Sequence, residues 1–357
     1  MQFGIIATSS LSGVSIAPLA EELGFDTIRF WDSPLVSADI FVVMAHAITL
    51  TRRIRVGAGV YVPWTRSPAV TACGFASLNA MAPGRIDFCA STGFTARRAF
   101  GLKGQPVADF AAHMRAAVGL MRGEEVDFEI EGGTRRLRLL HPDLTLNVKD
   151  PIGVQIATGG PRGMALVAEL GAGWMDAPGL WGDYSIGDMQ ALWSGAGRDV
   201  ESLHCNVNFA TVALLREGEA ISSPRIRKIA GPQVLSGVHR WIDHELIHGK
   251  PLPDGLSQAM RRAVSAYRKI FPSPHARDAA LRLHTGHVLF VRPEEEAILN
   301  DELVRERVLV LTKDQLIDKI EQLEQAGVKE ITFSVATREN LLELAEALGP
   351  GRLKRAK

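Results

Sequence analysis

A closed (β/α)8 TIM barrel is the fold this sequence predicts, and three observations carry it. Short apolar runs alternate with longer helix-patterned segments along most of the 357 residues. The runs are apolar throughout rather than alternating, as strands must be when both faces of a parallel sheet are covered. The G-x-G-x-x-G turn of a dinucleotide-binding doubly wound sheet is missing, because "IIATSSLSG" after the first run offers only Gly13.

The elements follow in order. "FGIIA" (3–7) precedes "SIAPLAEELG", "DTIRFW" (26–31) precedes "SADIFVVMAHAITLT", "IRVGAGV" (54–60) precedes "SPAVTACGFASLNAMAPG", and "RIDFCAS" (85–91) precedes a helix near 105–122. Ser67 is placed to cap the third helix while Pro68 takes its first position, where a missing N–H costs nothing. A similar start is expected at Ser37. "DFEIEGGTRRLRLL" (127–140) alternates around Gly132 and Gly133 and reads as an inserted β-hairpin. Strands five to eight are "IGVQIAT" (152–158), "GWMDAP" (173–178), "LHCNVNFATVALL" (203–215) and "VKEITFSV" (328–335). Between the last two lies a long, mostly helical stretch, taken as a cap inserted into one barrel domain at about 216–300.

Composition narrows the partners. Forty acidic and forty basic side chains cancel, leaving no global field to draw nucleic acid or an anionic membrane. No run approaches the roughly 20 apolar residues that span a bilayer, and "MQFGII" lacks a basic flank. Cys73, Cys89 and Cys205 form no C-x-x-C pair and sit in apolar stretches, as reduced core thiols would. A soluble, cytoplasmic protein is expected.

In a barrel of this kind the chemistry gathers at the C-terminal strand ends. Thr158-Gly159-Gly160 before Pro161 presents bare N–H groups at a helix N-terminus, which suits a phosphate. The fourth exit, "STGFTARRAFG", contributes Gly93 and two guanidinium groups, Arg97 and Arg98, for the same anion. Thr8 ends the first strand and Asp32 follows the second. "GAGVYVPWTRSP" (57–68) ends the third, where Gly59 frees the backbone to kink against a flat ligand while Tyr61 and Trp64 offer aromatic walls. A rim bulge with aromatics packed beneath the next helix is the alternative. Trp174 and Trp181 bracket the sixth exit around Asp176, Trp181 being a wall for the substrate. His239, His244 and His248 have helical spacing, yet no cysteine accompanies them and no metal is expected. His284 and His287 either line the cap or are buried in its core.

Taken together, "FWDSPLV", "GAGVYVPWTRSPAVTACGFASLNAMAPGRIDF", "STGFTARRAFGLKG" and "IATGGPRGMALVAELGAGW" resemble the bacterial luciferase-like superfamily. Within it they are most similar to coenzyme F420-dependent oxidoreductases related to methylene-tetrahydromethanopterin reductase. The resemblance implies a TIM barrel binding F420, or FMN, at its mouth, and a homodimer. It implies a non-prolyl cis peptide at Gly59–Val60 supporting the ring, with Thr8, Tyr61 and Gly93 beside the cofactor. It places the phosphate near Arg98 and Thr158 to Gly160, and makes Asp32 the catalytic group. Two departures stand out: Ser67 where relatives often carry histidine, and Val62 where asparagine usually precedes the proline. The expected function is hydride transfer between deazaflavin and a small organic substrate. The alternatives are an FMN-dependent monooxygenase and a non-catalytic flavin-binding protein.

Overall fold

The computed structural model describes residues 1–177 and 185–353. Strands β1 (Gln2–Ala7), β2 (Thr27–Phe30), β3 (Arg55–Tyr61) and β4 (Ile86–Ala90) come first. The hairpin β5 (Val126–Ile130) and β6 (Gly133–Leu137) follows, then β7 (Gly153–Ala157), β8 (Gly173–Asp176), β9 (Cys205–Leu214), β10 (Leu309–Leu311) and β11 (Glu330–Ser334). The order β9-β11-β1-β2-β3-β4-β7-β8 is parallel throughout, and β8 pairs back onto β9, with Trp174 opposite Cys205. That last pairing closes the predicted barrel. The predicted hairpin forms at Glu131 and Gly132, both at positive φ.

Local chemistry sets the helices. Ser67 Oγ accepts from the Val70 N–H with Pro68 at the first position, as anticipated. The second barrel helix, Ile40–Leu50, begins later than expected. Asp39, not Ser37, caps it, because the Asp39 carboxylate reaches the Phe41 N–H at 2.9 Å. The outer faces of β1, β2 and β3 bury Phe3, Ile5, Ile28, Phe30 and Val56 against the surrounding helices. Inside the barrel's N-terminal half the filling is polar: Arg29 donates to Glu330 (2.6 Å) and to Asp87 (3.2 Å).

The inserted stretch builds its own apolar cluster. In the helix Pro224–Ile242, residues Ile226, Ala230, Val234, Val238 and Ile242 recur every fourth position and are buried against Met260, Val264 and Tyr267. The cluster reaches Leu303, Val304 and Val308, beyond the expected limit near 300. The short β10, unforeseen in the sequence, pairs with the last residues of β9. Residue Ala210, at φ 51°, lies between the part of β9 that serves β8 and the part that serves β10. Cys89 and Cys205 are buried and unpaired as expected, but Cys73 is exposed on its helix rather than in the core. Among the described residues no helix is long and apolar enough to cross a membrane.

Candidate active site

The C-terminal end of β3 is irregular. It pairs with β4 at Gly59 opposite Cys89 and resumes at Tyr61 opposite Ala90, so Val60 is left out of the register. The Gly59–Val60 peptide is cis. Glycine is required here by space, since a Cβ at Gly59 would lie 2.7 Å from the Arg29 Cβ.

Two cavities meet over this bulge, both bordered by Val60, Gly93 and Phe94. The first, of about 270 Å³, runs from Thr8, Asp32 and Gly59 across the mouth to Asn208, Gln233 and Asn340. The second, of about 460 Å³, is bordered by Thr158, Gly159, Gly160 and three arginines, Arg98, Arg162 and Arg240. Gly160 caps the helix Pro161–Leu170, and the space where its side chain would stand is open. Free N–H groups and the positive end of the helix dipole therefore face a cationic cavity.

Asp32 is buried at the edge of the first cavity. Its Oδ2 accepts from Arg66 (3.0 Å) and from the Val62 N–H (3.3 Å), while Arg66 also pairs with Asp39 (2.6 Å). Burial pushes the Asp32 carboxyl above the usual aspartate range, against the opposing pull of Arg66 and of the Val62 amide. Arg98 donates to the fully buried Asp243 of the cap at 2.6 Å and stacks on Phe94. Its Nε is buried without a partner.

The sequence matches the luciferase-like monooxygenase family over residues 11–330. The chain belongs to that family. It is 31% identical over 209 residues to an F420-dependent glucose-6-phosphate dehydrogenase of Gordonia bronchialis, a match covering 53% of this chain and 61% of the relative. It is 29% identical over 181 residues to a 5,10-methylenetetrahydromethanopterin reductase of Methanolobus tindarius, covering 48% and 53%. The matches thus span just over half the length of these relatives. The fold is similar to that of the coenzyme F420-dependent tetrahydromethanopterin reductase of Methanopyrus kandleri, with a TM-score of 0.65, 17% identity and 99% of each chain covered.

Within this luciferase-like barrel, most of the predicted residues come together. Thr8, Asp32 and Gly59 border the first cavity, Thr158, Gly159, Gly160 and Arg98 the second, and Val60 and Gly93 both. Tyr61 does not join them. Its side chain lies beneath the helix Pro68–Met81, edge-on to Phe75 and Phe88, with its hydroxyl 2.7 Å from Thr71 Oγ1. Regular alternation from Val56 would turn Tyr61 inward; leaving Val60 out of the register reverses the alternation and puts Tyr61 on the outer face that the helix covers. Trp64 also misses both cavities, packing against Phe100 and under Arg97. That stacking, with a bond from Arg97 Nε to the Lys103 carbonyl (2.7 Å), removes Arg97 from the expected anion site. Trp181 lies outside the described residues.

The histidines follow the structural alternative. His239 bonds to Glu295 (2.7 Å) and contacts His287 (3.2 Å). His284 and His287 are buried behind Phe94 instead of lining either cavity. The helical register that would align His239, His244 and His248 is broken by a wider turn at Asp243–Ile247. Among the described residues no cluster of three or more His, Cys, Asp or Glu is arranged to hold a metal ion.

Several residues of the site carried no motif. Arg66 and Asp243 owe their roles to partners 34 and 145 positions away. Arg162 was within reach of sequence reasoning, because it directly follows the Gly-Gly-Pro turn.

Proposed function

We propose that this chain is an oxidoreductase that holds coenzyme F420 across the β3 bulge and moves a hydride between the cofactor ring and a small organic substrate. One observation carries the reading. A cationic cavity at a helix N-terminus shares Val60, Gly93 and Phe94 with another cavity whose single ionisable lining group among the described residues is Asp32. A deazaflavin has the matching division, an anionic phosphate-bearing side chain attached to a flat ring. The name of the Gordonia bronchialis relative, an F420-dependent dehydrogenase, supports this choice.

The residues present fit such a group. Arg98 Nε is a buried donor without a partner, and the space beside Gly160 is open. Thr158, Gly159, Gly160 and Arg98 would hold the phosphate; Thr8, Gly59, Val60 and Gly93 would border the ring. When bound, the cofactor supplies hydride chemistry at its ring. The protein's own part is to orient the substrate, exclude water and handle a proton. Phe94 stands where the two cavities share their lining. Asp32, with its raised affinity for a proton, is the group placed to take one up or release one at the ring edge.

A second reading keeps the site and changes the chemistry: reduced FMN with oxygen, as in a monooxygenase, which is the activity in the family's own description. Titration of the purified chain with F420 and with FMN, followed by fluorescence quenching, tests both. Tighter binding of F420 is expected. Tighter FMN binding with oxygen uptake from its reduced form would put the second reading first, and binding of neither would overturn both. Tight F420 binding without turnover of any hydride acceptor or donor would leave a non-catalytic flavin-binding protein.

A further inference from the structure

The first cavity contains a hydrogen-bonding group with nothing to bond. Asn340, in the first turn of the helix Arg338–Arg352, is 2% exposed, and neither its Oδ1 nor its Nδ2 has a partner. Its backbone N–H is already taken by Thr337 Oγ1 (3.2 Å), so the helix start accounts for the backbone and not for the side chain. Buried amides are rarely left this way. Asn340 borders the cavity, and what its side chain lacks is one acceptor and one donor together.

The surroundings restrict what can provide them. Ile6, Ile229, Pro232 and Val288 form apolar walls. Asn208, on the same cavity, has its Oδ1 engaged by the Ala210 N–H (2.8 Å). Among the described lining residues there is no cation, and the one anion, Asp32, is paired with Arg66. The arginines line the other cavity. A phosphate here would be desolvated without a counter-charge, and a carboxylate would leave Asn340 Oδ1 without a donor.

We infer that the end of this cavity nearest β11 binds an uncharged, compact substrate that presents an N–H and a C=O on one edge, a carboxamide or lactam, to Asn340. The site is closed to sugar phosphates. The inference rests on the cofactor reading above in one respect: with the ring against β3, the part of the mouth beside β11, three strands away in the barrel order, is left for the substrate.

The test uses 2-pyrrolidinone, its ketone isostere cyclopentanone and glucose 6-phosphate, each titrated by ligand-observed NMR. It is run on the cofactor-free chain and on the chain with F420. The lactam should bind about tenfold more tightly than the ketone, the effect of one well-placed hydrogen-bonding pair, and glucose 6-phosphate should not displace it. Asn340→Leu and the isosteric Asn340→Asp, which guards against misfolding of the first, should both abolish the preference and leave F420 affinity unchanged. The inference is overturned if 2-pyrrolidinone does not bind, if glucose 6-phosphate displaces it, or if the preference survives in both variants. It also fails if both variants lower F420 affinity without touching the preference, because the amide then faces the cofactor. Loss of F420 binding by the wild-type chain, with the lactam preference intact, would sink the cofactor reading alone.

Discussion

On the proposed reading, Asp32 and Arg98 each serve both structure and chemistry. Replacing Asp32 by asparagine removes a proton-exchanging group but keeps shape, and Arg66 retains Asp39 as a partner. Turnover should therefore fall about a hundredfold, with F420 affinity and melting temperature nearly unchanged, as steady-state kinetics and a thermal scan would show. Unchanged turnover removes Asp32 from the mechanism. Arg98→Ala acts on two things at once. Losing a charge-assisted contact to phosphate should weaken F420 binding by about 1.5–3 kcal/mol. Truncation also strands Asp243, which is fully buried, and breaking such a pair costs about 3–5 kcal/mol of stability. Adding Asp243→Asn should restore much of the stability and none of the affinity. Recovery of both would make Arg98 a tie between barrel and cap and nothing more.

Among the elements, the β7-to-helix turn is the one on which the proposed anion site depends. Gly163, in the first turn of the helix Pro161–Leu170, packs so closely on Thr158 that an added Cβ would overlap the threonine hydroxyl. Gly163→Ala should displace Thr158 and tilt the helix start, costing about 1–3 kcal/mol as overpacked sites do. Urea unfolding measures the first effect. F420 titration should show weaker binding from the second, whereas Gly160→Ala, with open space for its methyl, should fold normally. Equal stability of the Gly163→Ala variant and wild type would mean that the turn yields without strain. Binary pattern made these elements legible: apolar runs with glycine, proline and serine between them specify strand, turn and helix locally. The later helix start at Asp39 and the strand β10 were not legible, the first because two candidate caps stand two residues apart and the second because three residues are too few to show a period.

For the whole molecule, acid stability should be governed by carboxylates buried in pairs. Burial alone would raise Glu330, yet the Arg29 guanidinium and His204 beside it hold its carboxyl well below the usual glutamate range. Burial likewise opposes Glu295, but bonds from His239 and Arg292 hold it down to about 2. Both are ionised in the fold and take up protons more readily once unfolded. Their contribution is therefore complete above the ordinary value of 4.5 and is lost as pH falls from there toward 2. The melting temperature should begin to fall below about pH 6.5, where the buried His113, His239 and His287, kept neutral by burial, take up protons once unfolded, and drop more steeply below about pH 4.5 as the carboxylates add their share. Glu330→Gln should flatten the acid limb and, by leaving Arg29 buried without its main partner, lower stability at neutral pH by about 3–5 kcal/mol. An acid limb identical to that of wild type would show that other groups govern it.

By itself the sequence determined the barrel, the hairpin and the inserted helices, and it put Gly59 and the Thr158 to Gly160 turn at the ends of their strands. These depend on contacts between near neighbours in the chain, where period, cap and turn chemistry are written directly in residue order. Only the tertiary structure decided which side chains face the mouth. Tyr61 and Trp64 stand in the right stretch, yet the register shift at Val60 and the packing of Phe75, Phe88 and Phe100 turn them away. Asn340 and Asp243 carry no local signal at all, since what distinguishes them is burial beside elements from distant parts of the chain. Burial sets the cost of a polar or charged group through its partners, and closing the barrel is what brings those partners within reach.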